Sequence, residues 1–181
     1  MEPLLHFVIP FIALTMLGVD LRKALLLGLL GVLPDLDALF LIHRSMSHSL
    51  VVLALVWTPV LISIRVRAPH LWQIGLLGLL VLFSHPMMDV VQSHTPILWP
   101  LYGQSIYLKL AFNVLWGSEV GFNPRTELSM VPTTFRPVNG FDYPIFTGEG
   151  LVISSILFLP IIFELIRDRV SSEDVRSASD Y

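Results

Sequence analysis

The sequence predicts an all-α fold: a polytopic integral membrane helical bundle of about five transmembrane helices with a long non-cytoplasmic loop. Three observations predict it. The chain is 54% hydrophobic and only 14% charged, where a soluble domain carries roughly 25% charged residues. Its mean hydropathy is +0.74. Its apolar residues gather into five runs, with one polar, proline-bearing stretch before the last. A chain of 181 residues accommodates one domain. Residues 1–170 are expected to form a single transmembrane domain, with an external loop at 117–149 and a flexible polar tail at 171–181.

Composition also excludes classes. The net charge is -3 with no basic block, which argues against a nucleic-acid partner; the chain has no cysteine, so disulfides and thiolate metal sites are ruled out. Any metal must be held by His, Asp or Glu. The segment Met1-Glu2-Pro3 lacks the basic residues of a signal peptide, so the N-terminal run is expected to be a retained first helix.

The first run, residues 4–19, is interrupted only by His6, Pro10 and Thr15. At about 1.5 Å per residue it reaches about 24 Å, short of a hydrocarbon core of about 30 Å unless flanking residues extend it. A polar turn with Asp20, Arg22 and Lys23 precedes the second run, which Pro34 interrupts just before Asp35. Pro disfavours helix at the residue before it, so a kink or helix end is expected there. The third run, residues 49–64, ends in Arg65 and Arg67, and the fourth, residues 71–83, leads directly into His85 and Asp89. Residues 94–116 are mixed, with Trp99, Tyr102, Tyr107 and Trp116 of the kind that favours a membrane interface. Residues 151–166 form the last run. With five crossings, Arg22, Lys23, Arg65, Arg67, Arg167, Arg169 and Arg176 share one side, and Arg44, Lys109, Arg125 and Arg136 the other. The positive-inside bias then puts the N-terminus outside and the C-terminus in the cytoplasm. It also collects His6, Asp35, Asp37, His43, His48, His85, Asp89 and His94 at the outer face of a cell membrane.

Charged residues inside apolar surroundings are costly and mark function. Residues 33–49, LPDLDALFLIHRSMSHS, hold two aspartates, two histidines and one arginine; SHPMMD at 84–89 repeats the theme. His85 and Asp89 are four apart, so on a helix they share one face and can share one metal ion. Asp35 and Asp37 are two apart: one is expected to bind metal, the other to orient a ligand or act as a base. His43 and His48 can each bind metal or act as acid or base. Arg44 suits an anionic group such as phosphate, or a lipid headgroup. His6 is a lone histidine in an apolar helix, placed on the same face as the clusters. A site of N and O donors without sulfur suits zinc first, with manganese or iron as alternatives. Its chemistry is hydrolysis by a metal-activated water.

The His in the first run, PDLD, HRSMSHS and SHPMMD together resemble the YdjM-like family of membrane-bound metal-dependent hydrolases, with its PD-x-D, HR-x-x-x-HS and SH-x-x-x-D elements. The resemblance covers about residues 1–102, and TPILWP at 95–100 looks like the family's apolar, Pro-containing stretch. A more distant similarity is to zinc-dependent phospholipase C enzymes. The resemblance implies His6, Asp35, His48, His85 and Asp89 as metal ligands, with Asp37, His43 and Arg44 close by as the catalytic group. Family members often carry a His after the second Asp and a Gly after HR; here Ala38 and Ser45 stand there, which leaves the metal count open. The expected function is hydrolysis of a phosphoester or ester bond in a small-molecule or lipid-like substrate at the bilayer. The alternatives are a metal or ion transporter, or a structural membrane protein without catalysis. The sequence leaves the oligomeric state open.

Overall fold

The computed structural model describes residues 2–42, 44–116, 120–136 and 144–179. Helices α1 (Pro3–Met16) and α2 (Leu21–Leu30) are followed by two short 3-10 turns, Leu33–Phe40 and Met46–His48. Helix α3 (Leu50–Arg67) turns through Pro69–Leu71 into α4 (Trp72–Val90). Strands β1 (Gln104–Leu115) and β2 (Gly121–Pro132) come next, and α5 (Gly148–Ser179) closes the chain.

The expectation of an all-α bundle of about five transmembrane helices with a long loop is overturned in two ways. Among the described residues, only Leu50–Arg67 and Pro69–Val90 are long and apolar enough to cross a membrane. The reason is length: α1 has 14 residues and α2 has 10, about 21 Å and 15 Å of helix, against a hydrocarbon core of about 30 Å. The second departure is an antiparallel two-stranded sheet. Its second strand lies in the stretch expected to be a loop.

Local chemistry sets the helix ends. Pro3 opens α1 at its first turn, where a missing N–H costs nothing. The Asp20 carboxylate caps α2 by accepting from the Arg22 and Lys23 amides. Ser49 caps α3 through the Val52 amide and donates to the Trp99 carbonyl. Arg65 and Arg67 close α3, where a positive charge meets the negative end of the helix dipole.

Helix α1 packs against α2, α4 and α5. The core at this crossing is Val8, Phe11, Ile12 and Leu14 from α1, Ala24 and Leu27 from α2, and Val81 from α4. Gly31, just past α2, is required by a close approach: a Cβ there would stand 2.3 Å from the His6 carbonyl oxygen. Helices α3 and α4 also pack together, tied by a hydrogen bond from Trp57 Nε1 to the Gly75 carbonyl. Their hairpin brings the start of α3 and the end of α4 to one level. His48, His85 and Asp89 lie at that end; Arg65, Arg67 and His70 lie at the other.

Candidate metal centre

Four elements deliver side chains to one buried point. Helix α1 brings His6, the first 3-10 turn brings Asp35 and Asp37, the second brings His48, and α4 brings His85 and Asp89. His6, His48, His85 and Asp89 have no solvent exposure, and Asp35 and Asp37 are buried. One donor atom from each of His6, Asp35, His85 and Asp89 falls within 4.8 Å of the others, a group that can hold a metal ion. His48 adds a further nitrogen, its Nε2 3.0 Å from His85 Nε2.

The orientation of the His85 and His48 rings follows from their other nitrogens. His85 Nδ1 lies 2.6 Å from the Gly31 carbonyl oxygen. A carbonyl only accepts, so Nδ1 carries a proton and Nε2 faces the cluster. His48 Nδ1 lies 3.2 Å from Asp37 Oδ2, a carboxylate–histidine arrangement of the kind that fixes metal-binding imidazoles. Asp37 is itself held by the Ser45 amide at 2.7 Å and the Ser47 hydroxyl at 3.0 Å. The two aspartates of PDLD therefore reach opposite nitrogens of one ring, since Asp35 Oδ1 stands 3.6 Å from His48 Nε2. The 3-10 turn after Pro34 allows this, where a regular α-helix would splay residues two apart.

The donor set fits a divalent metal on two observations. Around the centre, the close donor pairs run from 3.0 Å between His48 and His85 to 3.7 Å between His85 and Asp89, and the His6, Asp35, His85 and Asp89 donors all lie within 4.8 Å of one another. His6–Asp89 at 3.2 Å, His48–Asp89 at 3.4 Å and His85–Asp35 at 3.4 Å lie between. Ligands about 2.1 Å from a zinc ion in a tetrahedral shell stand about 3.4 Å apart. The second observation is charge. Asp35, Asp37 and Asp89 are buried, and Arg44 is the described cation beside them, with Nε 3.5 Å from Asp89 Oδ2. The cluster thus brings three buried carboxylates together, an acidic site that suits a cation.

Without a metal, protons fill part of that role. Burial alone would lower the His48 pKa, but hydrogen bonds to Asp35, Asp37 and Asp89 outweigh it and push it up to about 10. Burial likewise opposes the Asp35 carboxylate, yet the His48 and His85 rings hold it below the ordinary carboxylate range.

Arg44 occupies a left-handed backbone conformation, φ 59°, as does Leu41 at φ 58°. Bulky residues avoid this region. Arg44 also lines a cavity of about 360 Å³ together with Glu2, Gln92, Thr147 and Glu149. Glu2 accepts a hydrogen bond from the Thr147 amide, which ties the start of α1 to the start of α5. His43 lies outside the described residues. His94, past the end of α4, bonds to Ser129 of β2 at 3.0 Å. Sequence reasoning missed Gly31 and Glu2. Gly31 acts through its backbone carbonyl, which no side-chain pattern reveals, and Glu2 acts across 145 residues.

The chain thus has two apolar helices long enough to cross a membrane and, at one end of their hairpin, a buried His/carboxylate cluster that can hold a metal ion. The chain matches the family model for YdjM inner membrane protein over residues 1–139. It belongs to that family, and its setting is therefore a lipid bilayer. No curated protein and no solved structure matches the chain.

Proposed function

We infer that the protein is an integral membrane hydrolase that uses a divalent metal, zinc first, to cleave a phosphoester or ester bond of a lipid-like substrate. The observation that carries this reading is the junction at Arg44. Its Nε lies 3.5 Å from Asp89 Oδ2, a donor of the cluster, and the residue also lines the 360 Å³ cavity, beside Glu2 and Glu149. An anionic group in that cavity would meet a planar, permanently charged partner suited to phosphate.

His6, Asp35, His48, His85 and Asp89 would hold the metal. When bound, the metal supplies a Lewis acid that polarises the ester oxygen and makes water a nucleophile at neutral pH. Asp37 keeps the proton of His48 on Nδ1 and so orients the ring; this geometry favours the orienting role over that of a base. Arg44 binds and positions the anionic group. His43 retains the acid–base role expected from its place in the HR-x-x-x-HS element. Arg65 and Arg67 close α3 at the end remote from the cluster.

The test is turnover by the detergent-purified protein on lipid and generic phosphoester substrates, beside Arg44→Ala and His43→Ala. Activity that needs added metal and falls by about 100-fold or more in Arg44→Ala, the scale of losing one charge-stabilising contact, supports the reading. Stoichiometric metal with no turnover across those substrates would overturn it.

A further inference from the structure

The β-hairpin carries a second membrane contact. Its register pairs Leu108 with Leu128, Phe112 with Pro124, and Val114 with Phe122. Directly paired residues share a face of the sheet, and faces alternate along each strand. One face is therefore built from Leu108, Leu110, Phe112, Val114, Phe122 and Leu128. The other carries Lys109 opposite Glu127, Arg125 opposite Ala111, and Asn113 opposite Asn123. The apolar face is open: Phe112 is 83% and Phe122 82% exposed. A two-stranded ribbon is marginal in water unless a further layer covers its apolar face. Twelve residues per strand at about 3.4 Å each give a ribbon about 40 Å long.

We propose that this apolar face lies on the lipid bilayer, flat in the interface between headgroups and acyl chains, and anchors the metal-bearing end of the protein to the membrane surface. Three features select lipid as the occupant. The ribbon starts at the membrane. Its base is tied to the segment just after α4 by the bridge of Thr95 to Ile106 and by the bond of His94 to Ser129, so it departs from the level where a membrane-crossing helix ends. Its surface is two-sided, with Lys109 and Arg125 on the face turned from the apolar one, as interfacial amphipathic elements require. Its far end is aromatic: Phe112, Phe122 and the adjoining Trp116, 86% exposed, are residue types suited to the bilayer boundary. Open strand edges are not tolerated within the hydrocarbon core, which keeps the ribbon in the interface plane.

The chain has no cysteine, so single labels are simple to place. The test uses the full chain in proteoliposomes, with Phe112→Cys and Leu128→Cys on one face and Asn113→Cys and Glu127→Cys on the other. Each is labelled with an environment-sensitive fluorophore. The expected result is blue-shifted emission at 112 and 128, quenched by nitroxide-bearing lipids, with water-like emission quenched by iodide at 113 and 127. Two positions per face guard against a single misfolded variant. Water-like emission at all four positions would overturn the proposal. So would a blue shift at 112 and 128 that lipid quenchers leave untouched and that fades as protein is diluted among vesicles, since that result assigns the face to a second copy.

Discussion

The two ends of the α4–β1 connection solve opposite problems. At the end of α4, polar groups sit in an apolar surround, and two rings are turned by partners: His85 by Gly31, His48 by Asp37. In the hairpin, apolar groups sit in the open, and Phe112 and Phe122 meet no comparable cover among the described residues. The first region is specified from within the chain. The second is specified by what surrounds the chain. The comparison teaches that residues of the cluster should be intolerant of change through their mutual contacts, whereas residues of the hairpin should matter only where a membrane is present.

The sharpest way to break this contrast is Gly31→Ala. The added methyl meets the His6 carbonyl oxygen, which pushes α1 from α2 and displaces both His6 and the acceptor of His85. Metal affinity should fall by about 100-fold, the upper range for loss of an orienting partner; a competition titration with a metal indicator measures it. Unchanged affinity would mean that the α1–α2 crossing does not set the site.

The next largest effect is on pH. Folding raises the His48 pKa from 6.5 to about 10. In the metal-free protein this stabilisation is complete below pH 6.5 and is lost as pH rises through 10. Metal must displace the same proton, so the two trends oppose each other. Apparent metal affinity should rise with pH, by about tenfold per unit for one displaced proton, while metal-free stability falls. Titration calorimetry in buffers of different ionisation heat would read the released proton.

Asp37→Asn keeps the size and removes the charge that holds His48. Affinity should drop by about tenfold, with turnover falling in parallel. A fall in turnover at full metal occupancy would instead identify Asp37 as a base. At the small end stands Phe112→Asn. It should leave metal content unaltered and change stability in detergent by less than about 0.5 kcal/mol, as for an exposed side chain.

The cluster was legible in the sequence because its signals are local and costly. His85 and Asp89 share a helical face, Asp35 follows a helix-breaking proline, and His48 precedes a serine that caps α3. What joined them was less visible: the Gly31 carbonyl acts through the backbone, and Glu2 meets Thr147 only through the fold. The helical count failed because hydropathy reports burial and lipid exposure alike. Residues 4–19 are apolar enough for a crossing, yet α1 stops at Met16 and its buried face packs on α2 and α4. The hairpin had a signal in the period-2 alternation of residues 106–114, which argues for a strand. The aromatic and proline content of the flanking residues drew the reading toward an interfacial connector and a loop. Pro124 and Pro132 pointed the same way, although proline is tolerated on the edge strands of a two-stranded ribbon.

The central claim is that the buried His/Asp cluster is a metal centre. It is tested most directly by elemental analysis of the detergent-purified protein beside Asp89→Ala. The account predicts stoichiometric zinc, manganese or iron in the native chain, and its loss from the variant even after reloading. Absence of metal from a folded, reloaded native sample would contradict it, and would leave the cluster as a device for packing helices.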